Sequence, residues 1–145
     1  MKFATFNVNG VNARLPRLLE WLAAAEPEIV GLQEIKAEEA RFPLSEIEAA
    51  GYHVLLRGQK GFNGVAILSR QPLELLTDRL PGDDGDEQAR WIEAMAGDVR
   101  FVCLYLPNGN PAPGPKYDYK LAWMQRLADR AAELLRSERP VILAG

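Results

Sequence analysis

A short apolar run ending on a carboxylate, together with the strand and helix before it, organises the first part of the chain. Residues 29–32 are continuously apolar and lead through Gln33 to Glu34, a pattern typical of a strand buried on both faces of a sheet. Residues 2–8 are rich in strand-forming types and end at a turn signal, Asn9-Gly10, which predicts an earlier strand. Between the two strands, four leucines recur at helical spacing, at Leu15, Leu18, Leu19 and Leu22. We therefore predict a right-handed βαβ crossover with parallel strands.

The crossover predicts where candidate chemistry lies. Asn7 closes the first strand and Glu34 the second, and the carboxyl ends of parallel strands meet at one edge of a sheet. A carboxylate there can hold a hard cation. Pro16 is expected in the first turn of the connecting helix, where proline is tolerated.

The remaining pattern predicts further strands at residues 52–57, 64–69, 73–77, 89–95, 99–106 and 141–145, and helices at residues 43–50 and 117–136. Residues 58–64 hold three glycines and suit a hairpin connection, whereas residues 107–115 hold four prolines and suit a long irregular loop. The last helix shows an apolar stripe at helical spacing, formed by Leu121, Met124, Ala128, Ala131 and Leu135.

Composition limits the number of domains, the class of partner and the cellular compartment that we predict. A chain of 145 residues that is 48% hydrophobic is one domain or a piece of one. The net charge of −3 lacks the basic footprint of many nucleic-acid binders, although a local basic rim remains compatible with it. The single cysteine, Cys103, and the absence of a signal peptide or membrane-length apolar run predict a cytoplasmic protein without membrane association. Because residues 141–145 look like a core strand with nothing after it, we expect a fragment.

Several segments together resemble one enzyme family. The segments are residues 2–10 (KFATFNVNG), 31–36 (GLQEIK), 58–61 (GQKG), 64–68 (GVAIL) and 105–109 (YLPNG). In combination they resemble the exonuclease III family of DNA repair nucleases, which belongs to the endonuclease/exonuclease/phosphatase superfamily. The resemblance runs collinearly from Met1 to Gly145.

The resemblance implies both a fold and an activity. The fold would be α/β, with residues 1–145 forming the amino-terminal half of a DNase I-like four-layer sandwich, a mixed sheet with flanking helices, and the carboxyl-terminal half absent. The activity would be hydrolysis of DNA phosphodiesters at abasic sites and 3′ ends, with Mg²⁺, or Mn²⁺ in its place, as the cofactor. The implied partner is double-stranded DNA carrying abasic sites or 3′ ends.

Carried over residue by residue, the resemblance also implies roles. Glu34 would hold the metal, supported by the amide of Asn7. Tyr105 would place its phenol beside the scissile phosphate, and Asn108 would donate a hydrogen bond to a phosphate oxygen. The DNA contacts would come from Arg90, Lys60 and Lys36, with Lys36 also able to orient Glu34.

Some of the family's site does not occur in these residues. The Asp-x-Asn pair and the later Asp and His that complete the family's site are missing, and the lone histidine, His53, does not match. We therefore expect little or no activity from this chain alone. We also expect an exposed apolar sheet face, with self-association through it. His53 and Cys103 are interpreted as structural residues.

Two alternatives stay open. One is a phosphoesterase of the same superfamily that acts on a non-DNA substrate, which would keep Asn7 and Glu34 but not the glycine loop at residues 58–61 or Arg90. The other is a non-catalytic binding fragment. The glycine loop and Arg90 favour DNA.

Overall fold

Two four-stranded sheets and three helices make up the fold in the computed structural model, which describes all residues from Met1 to Gly145. The strands are β1 (Phe3–Asn7), β2 (Ile29–Gln33), β3 (His53–Arg57), β4 (Val65–Ser69), β5 (Leu73–Thr77), β6 (Trp91–Ala96), β7 (Val99–Leu104) and β8 (Val141–Ala144). The helices are α1 (Val11–Ala25), α2 (Leu44–Ala49) and α3 (Pro115–Arg136), with a short 3₁₀ turn at Glu39–Arg41. None of these helices is long and apolar enough to cross a membrane.

The first sheet has the strand order β1-β2-β4-β3. β1 and β2 are parallel, with Asn7 opposite Gln33, so the predicted parallel pairing of two strands joined by a helix is confirmed. β3 and β4 pair antiparallel across the glycine-containing connection, as predicted. β2 and β4 are central and buried along their whole length, which explains their continuous apolar sequences.

The second sheet has the strand order β5-β6-β7-β8. β5, β6 and β7 are antiparallel neighbours, whereas β8 runs parallel to β7 after the long α3 connection. Tyr105 directly follows Leu104, the last residue of β7. β7 lies opposite β2 in the other sheet, so Tyr105 comes from the sheet that faces β2.

Three apolar cores separate the layers. The first packs α1 and α2 against the first sheet, the second fills the space between the two sheets, and the third packs α3 on the second sheet. Phe101 and Cys103 of β7 belong to the middle core together with Ile29 and Ile67 of the first sheet. The order helix, sheet, sheet, helix confirms the four-layer α/β sandwich.

Two sequence predictions about helices are wrong in detail. Pro16 is the sixth residue of α1, not a first-turn residue, because the helix begins directly after Gly10. Since proline has no N–H, the helix lacks one internal hydrogen bond at this position. In α3 the predicted apolar stripe faces outward, and Leu135 is 80% exposed. The buried face instead carries Trp123 and Leu134.

Side-chain size and charge pairing explain which face of α3 is buried. The Trp123 ring meets the Trp91 ring edge to face at 6.1 Å between centroids. Arg130 on the same face forms two hydrogen bonds of 2.8 Å with the carboxylate of Glu93, which is fully buried on β6. The outward stripe has only small alanines in its middle, so it offers less apolar area to bury.

The expectation of an exposed sheet face is also wrong. The chain supplies four strands to each of two sheets, and those sheets cover each other's inner faces. Within the sheets, exposed apolar side chains lie on the edge strands, where Phe3 on β1 is 51% exposed and Leu143 on β8 is 39% exposed. Self-association through an exposed face therefore loses its structural basis, and the edges remain as unpaired strands.

Candidate active site

Backbone hydrogen bonds fix the loop that carries Glu34. The amide of Gly10 donates to the carbonyl of Glu34 at 2.7 Å, which ties the loop to the turn after β1. The amide of Ile35 donates to the carbonyl of Gly64 at 3.2 Å, which ties it to the start of β4. Glu34 itself has a φ of 52°, a left-handed conformation uncommon for a residue with a side chain. These contacts hold a strained residue at the end of a buried strand, as is common at functional sites.

The Glu34 carboxylate accepts three polar contacts. Tyr105 donates its hydroxyl to Oε1 at 2.5 Å, and the Asn7 amide donates to the same oxygen at 3.1 Å. Lys36 Nζ lies 3.4 Å from Oε2. The Tyr105 hydrogen bond, followed by those of Asn7 and Lys36, lowers the pKa of Glu34 below its usual value against an opposing effect of burial. The carboxylate is therefore ionised at neutral pH.

Tyr105 is held as a neutral hydrogen-bond donor. Partial burial raises the pKa of Tyr105, and its bond to Glu34 raises it further. Its backbone amide donates to the carbonyl of Arg90 at 2.8 Å, which extends the pairing of β6 and β7 to the site. The phenol thus reaches Glu34 across the space between the two sheets.

Asn9 belongs to this cluster, and the sequence analysis treated it only as a turn residue. Its side-chain oxygen accepts a hydrogen bond from Lys36 Nζ at 2.6 Å, and its backbone amide donates to Asn7 Oδ1 at 3.1 Å. Asn9 and Lys36 both lie just beyond the ends of the parallel strands β1 and β2, two residues after Asn7 and Glu34 respectively. This shared position after neighbouring strand ends was the signal that could have identified Asn9.

An open polar cleft of about 470 Å³ contains two of the other predicted residues, Arg90 and Asn108. Its remaining lining residues come from the β3–β4 hairpin, the segment before β6, the loop after β7 and the start of α3: Gln59, Phe62, Asn63, Gln88, Pro107, Gly109, Asn110, Pro115, Lys116 and Tyr119. Arg90 contacts the ring of Tyr105, with the guanidinium carbon 4.9 Å from the ring centroid. The cleft and the Glu34 cluster are therefore neighbours through these two side chains.

The sequence-predicted residues thus fall into three groups. Asn7, Glu34, Lys36 and Tyr105 form one hydrogen-bonded cluster, and Arg90 and Asn108 line the adjacent cleft. Lys60 is outside both groups, because it is exposed on the hairpin and does not line the cleft. Their chemical roles remain predictions.

Several cleft residues were missed by sequence reasoning. Gln59 accepts hydrogen bonds from Asn63 Nδ2 at 3.1 Å and from the amide of Ala89 at 3.0 Å, so it joins the hairpin to the segment before β6. Tyr119 reaches the same cleft from α3. These residues come from distant segments with no shared spacing, so no local pattern could have grouped them.

The donor set at Glu34 fits a hard cation that retains most of its water. The ligands offered are oxygens: the Glu34 carboxylate, and the amide oxygen of Asn7, which here accepts from the Asn9 amide while the Asn7 NH2 faces Glu34. No three His, Cys, Asp or Glu side chains cluster as a metal site. Each oxygen keeps lone-pair capacity beyond the contacts described. Mg²⁺ is commonly held by one or two carboxylates and several waters, and the oxygens of Glu34 and Asn7 suit that coordination.

Two packed sheets between helical layers, with an ionised carboxylate at the strand ends beside a polar cleft, define a DNase I-like α/β sandwich. Residues 4–145 match the endonuclease/exonuclease/phosphatase family. The chain therefore belongs to this family.

Known proteins similar to this chain include a curated enzyme and two solved structures. Exodeoxyribonuclease III of Haemophilus influenzae is 39% identical over 113 residues, covering 75% of this chain and 42% of that protein. The structure of an AP endonuclease from Archaeoglobus fulgidus has a TM-score of 0.82 at 37% identity, covering 88% of this chain and 49% of that one. The 3′ phosphatase NExo from Neisseria, bound to a product DNA hairpin, has a TM-score of 0.88 at 35% identity, covering 99% of this chain and 56% of that one.

The chain spans about half the length of the relatives that it matches.

Proposed function

We propose that this chain carries part of the active site of a DNA repair nuclease of the exodeoxyribonuclease III type, which hydrolyses phosphodiesters at abasic sites and 3′ ends. The observation that carries the proposal is the contact between Tyr105 and Glu34 across the two sheets, beside a cleft lined by Arg90 and Asn108. The names of the similar proteins point to the same reaction class. We further propose that it acts in base excision repair in the cytoplasm.

The residues of the chain can bind and orient a phosphodiester. Tyr105, a neutral phenol, lies at the junction of the Glu34 cluster and the cleft, where its one O–H donates to Glu34 and can turn to a phosphate oxygen. Asn108 and Arg90 offer further donors from the cleft wall to phosphate oxygens. Lys36 and Lys60 add positive charge on the adjoining loops, which favours a polyanion despite the net negative charge of the chain.

We propose Mg²⁺ as the cofactor, with Mn²⁺ as a substitute, held by Glu34 and Asn7. When bound, the ion would stabilise the negative charge that develops at the phosphate. Glu34 is prepared for a cation because it is ionised and 20% exposed, and its neighbours fix its orientation.

We also propose that these 145 residues alone cleave DNA weakly or not at all. In-line hydrolysis needs a group to activate water, and Glu34 is the only acidic side chain in the cluster. The lone histidine, His53, is exposed at the start of β3 and makes no hydrogen bond to the Glu34 cluster. The same observation keeps a non-catalytic DNA-binding role as the second candidate.

The test compares the chain with a chimera in which residues 1–145 replace the matching segment of the Haemophilus exodeoxyribonuclease III. The substrate is an end-labelled duplex with one abasic site, in Mg²⁺ or in EDTA. We expect the chimera to cut in Mg²⁺ only, with Glu34→Gln abolishing the cut. Glu38→Gln, an exposed neighbour on the same loop, serves as the matched control and should cut normally.

Three results would count against the proposal. Robust cutting by the 145-residue chain alone would show that the site is complete without further residues. A folded chimera that binds the duplex without cutting would favour the non-catalytic role. A folded chimera that hydrolyses a small phosphodiester but not DNA would favour the superfamily phosphoesterase.

A further inference from the structure

Arg90 lies within contact distance of two tyrosine rings that come from different parts of the fold. Its guanidinium carbon is 4.9 Å from the ring centroid of Tyr105 and 5.9 Å from that of Tyr119. Arg90 also donates from Nη1 to the carbonyl of Tyr105 at 3.2 Å and from Nε to Gln88 Oε1 at 2.7 Å. Two of its five N–H donors are therefore used inside the protein, one of them on Tyr105, and three remain for the cleft.

Tyr119 is itself fixed by a buried carboxylate. Its hydroxyl donates to Asp86 Oδ2 at 2.8 Å, and Arg126 Nη1 donates to the same oxygen at 2.9 Å. The side chain of Asp86 is only 7% exposed, and Arg126 donates in addition to the carbonyls of Leu80 and Pro81. This anchoring leaves the Tyr119 ring little freedom to move away from Arg90.

We infer that Tyr119 is a positioning residue, which holds Arg90 against Tyr105 and so keeps the Tyr105 hydroxyl on Glu34. The inference rests on the proposed function, because it names a further residue of the same site. A guanidinium that contacts two rings gains a cation–π interaction from each. Without the Tyr119 ring, Arg90 loses one of these interactions and the guanidinium can turn away from Tyr105.

The consequence falls on the hydrogen bond between Tyr105 and Glu34. That hydrogen bond joins a side chain at the end of one sheet to a side chain at the end of the other. Its length therefore depends on how well neighbouring side chains fix the position of the Tyr105 ring. Small displacements of a positioned group weaken such contacts strongly. Tyr119 thereby links α3 to the carboxylate at the end of β2 without touching it.

The test measures the Tyr105 hydroxyl proton by NMR in the metal-free 145-residue chain. A proton in a short bond to a carboxylate gives a downfield, slowly exchanging signal, which Tyr105→Phe assigns by removing it. Tyr119→Leu removes the ring over Arg90, whereas Tyr119→Phe keeps the ring and removes only the hydroxyl. The matched control is Tyr117→Leu, because Tyr117 lies two residues earlier on α3 and is exposed.

We expect the Tyr105 signal to disappear or broaden in Tyr119→Leu. We also expect Mn²⁺ to bind about tenfold more weakly, which is the usual effect of removing a residue that orients a metal ligand. Tyr119→Phe, which keeps the ring but loses its anchor on Asp86, should lie between the unchanged chain and Tyr119→Leu in both measurements, and Tyr117→Leu should change neither. If Tyr119→Leu lowers the melting temperature but leaves the signal and Mn²⁺ affinity intact, Tyr119 is only structural and the inference is overturned.

The two proposals fail in different ways. If the chimera never cuts DNA while the Tyr105 signal still depends on the Tyr119 ring, the proposed function is wrong and the positioning role stands. If the chimera cuts normally with Tyr119→Leu and the signal persists, the positioning role is wrong and the proposed function stands.

Discussion

Removing Arg130 should destabilise the chain strongly, because its partner is a fully buried carboxylate. Glu93 has no exposed surface, and Arg130 supplies two hydrogen bonds of 2.8 Å to it, one to each oxygen. In Arg130→Leu, only the indole N–H of Trp91, at 3.0 Å, still contacts that carboxylate. Breaking a buried ion pair from one side costs about 3 to 5 kcal/mol. Since the side chain of Arg130 is 20% exposed, water can reach the gap and we expect about 3 kcal/mol.

The measurement is urea unfolding followed by tryptophan fluorescence and circular dichroism. The double variant Glu93→Leu with Arg130→Leu removes both charges and leaves only the Trp91 N–H without its acceptor, which costs about 1 to 3 kcal/mol. We therefore expect the double variant to be no less stable than the single one. Arg17→Leu, which breaks an exposed pair with Glu20, is the control and should change stability by less than about 1 kcal/mol.

A decrease in unfolding free energy of less than about 1 kcal/mol for Arg130→Leu would refute the reasoning, because an unpaired buried carboxylate destabilises a fold by more than that. A double variant that is far less stable than the single one would refute it too, since no buried charge then remains.

Glu34, Cys103 and Gly64 each support a further prediction. Because the pKa of Glu34 is lowered in the folded chain, its contribution to stability is present above its ordinary pKa of 4.5 and is lost as pH falls through the lowered value. The stability difference between the chain and Tyr105→Phe should therefore shrink in acid; a difference that stays constant from neutral pH to acid would contradict this. Burial raises the pKa of Cys103 to about 12, so a thiol reagent at mildly alkaline pH should label it only after unfolding, and fast labelling of the native chain would count against it. Gly64→Ala should lower the unfolding free energy by more than about 1 kcal/mol, since Gly64 has a φ of 89° and an added Cβ would lie 2.4 Å from Ile35 Cγ1; an unchanged urea midpoint would disprove it.

The part of the site that could be predicted from sequence is the part built by neighbouring parallel strands. Asn7 ends β1 and Glu34 follows β2 directly, so strand direction brings them to one edge of the sheet. Their hydrogen bond at 3.1 Å also depends on the left-handed turn at Glu34, because the register pairs Asn7 with Gln33. Strand direction likewise placed Lys36 at this edge. Tyr105 could be placed only through the family resemblance, because it arrives from the other sheet.

The buried face of α3 and the contacts that α3 makes with the cleft depend on tertiary packing, which no local sequence pattern predicts. In α3 both faces carry apolar residues at helical spacing, and the choice between them was made by Trp123 and by the pairing of Arg130 with a buried Glu93. Glu93 has the sequence appearance of an ordinary surface residue until its partner is known. The Tyr119 contact with Arg90 likewise joins α3 to the start of β6 across the cleft.

The most direct test of the account is to locate Mn²⁺ on the chain by the line broadening it causes in NMR spectra. We expect the strongest broadening at the side-chain amide of Asn7 and the backbone amides of Glu34 and Lys36, and its loss in Glu34→Gln. Broadening centred instead on the acidic loop at Asp83 and Asp86, and unchanged in Glu34→Gln, would contradict the assignment of the active site to the end of β2.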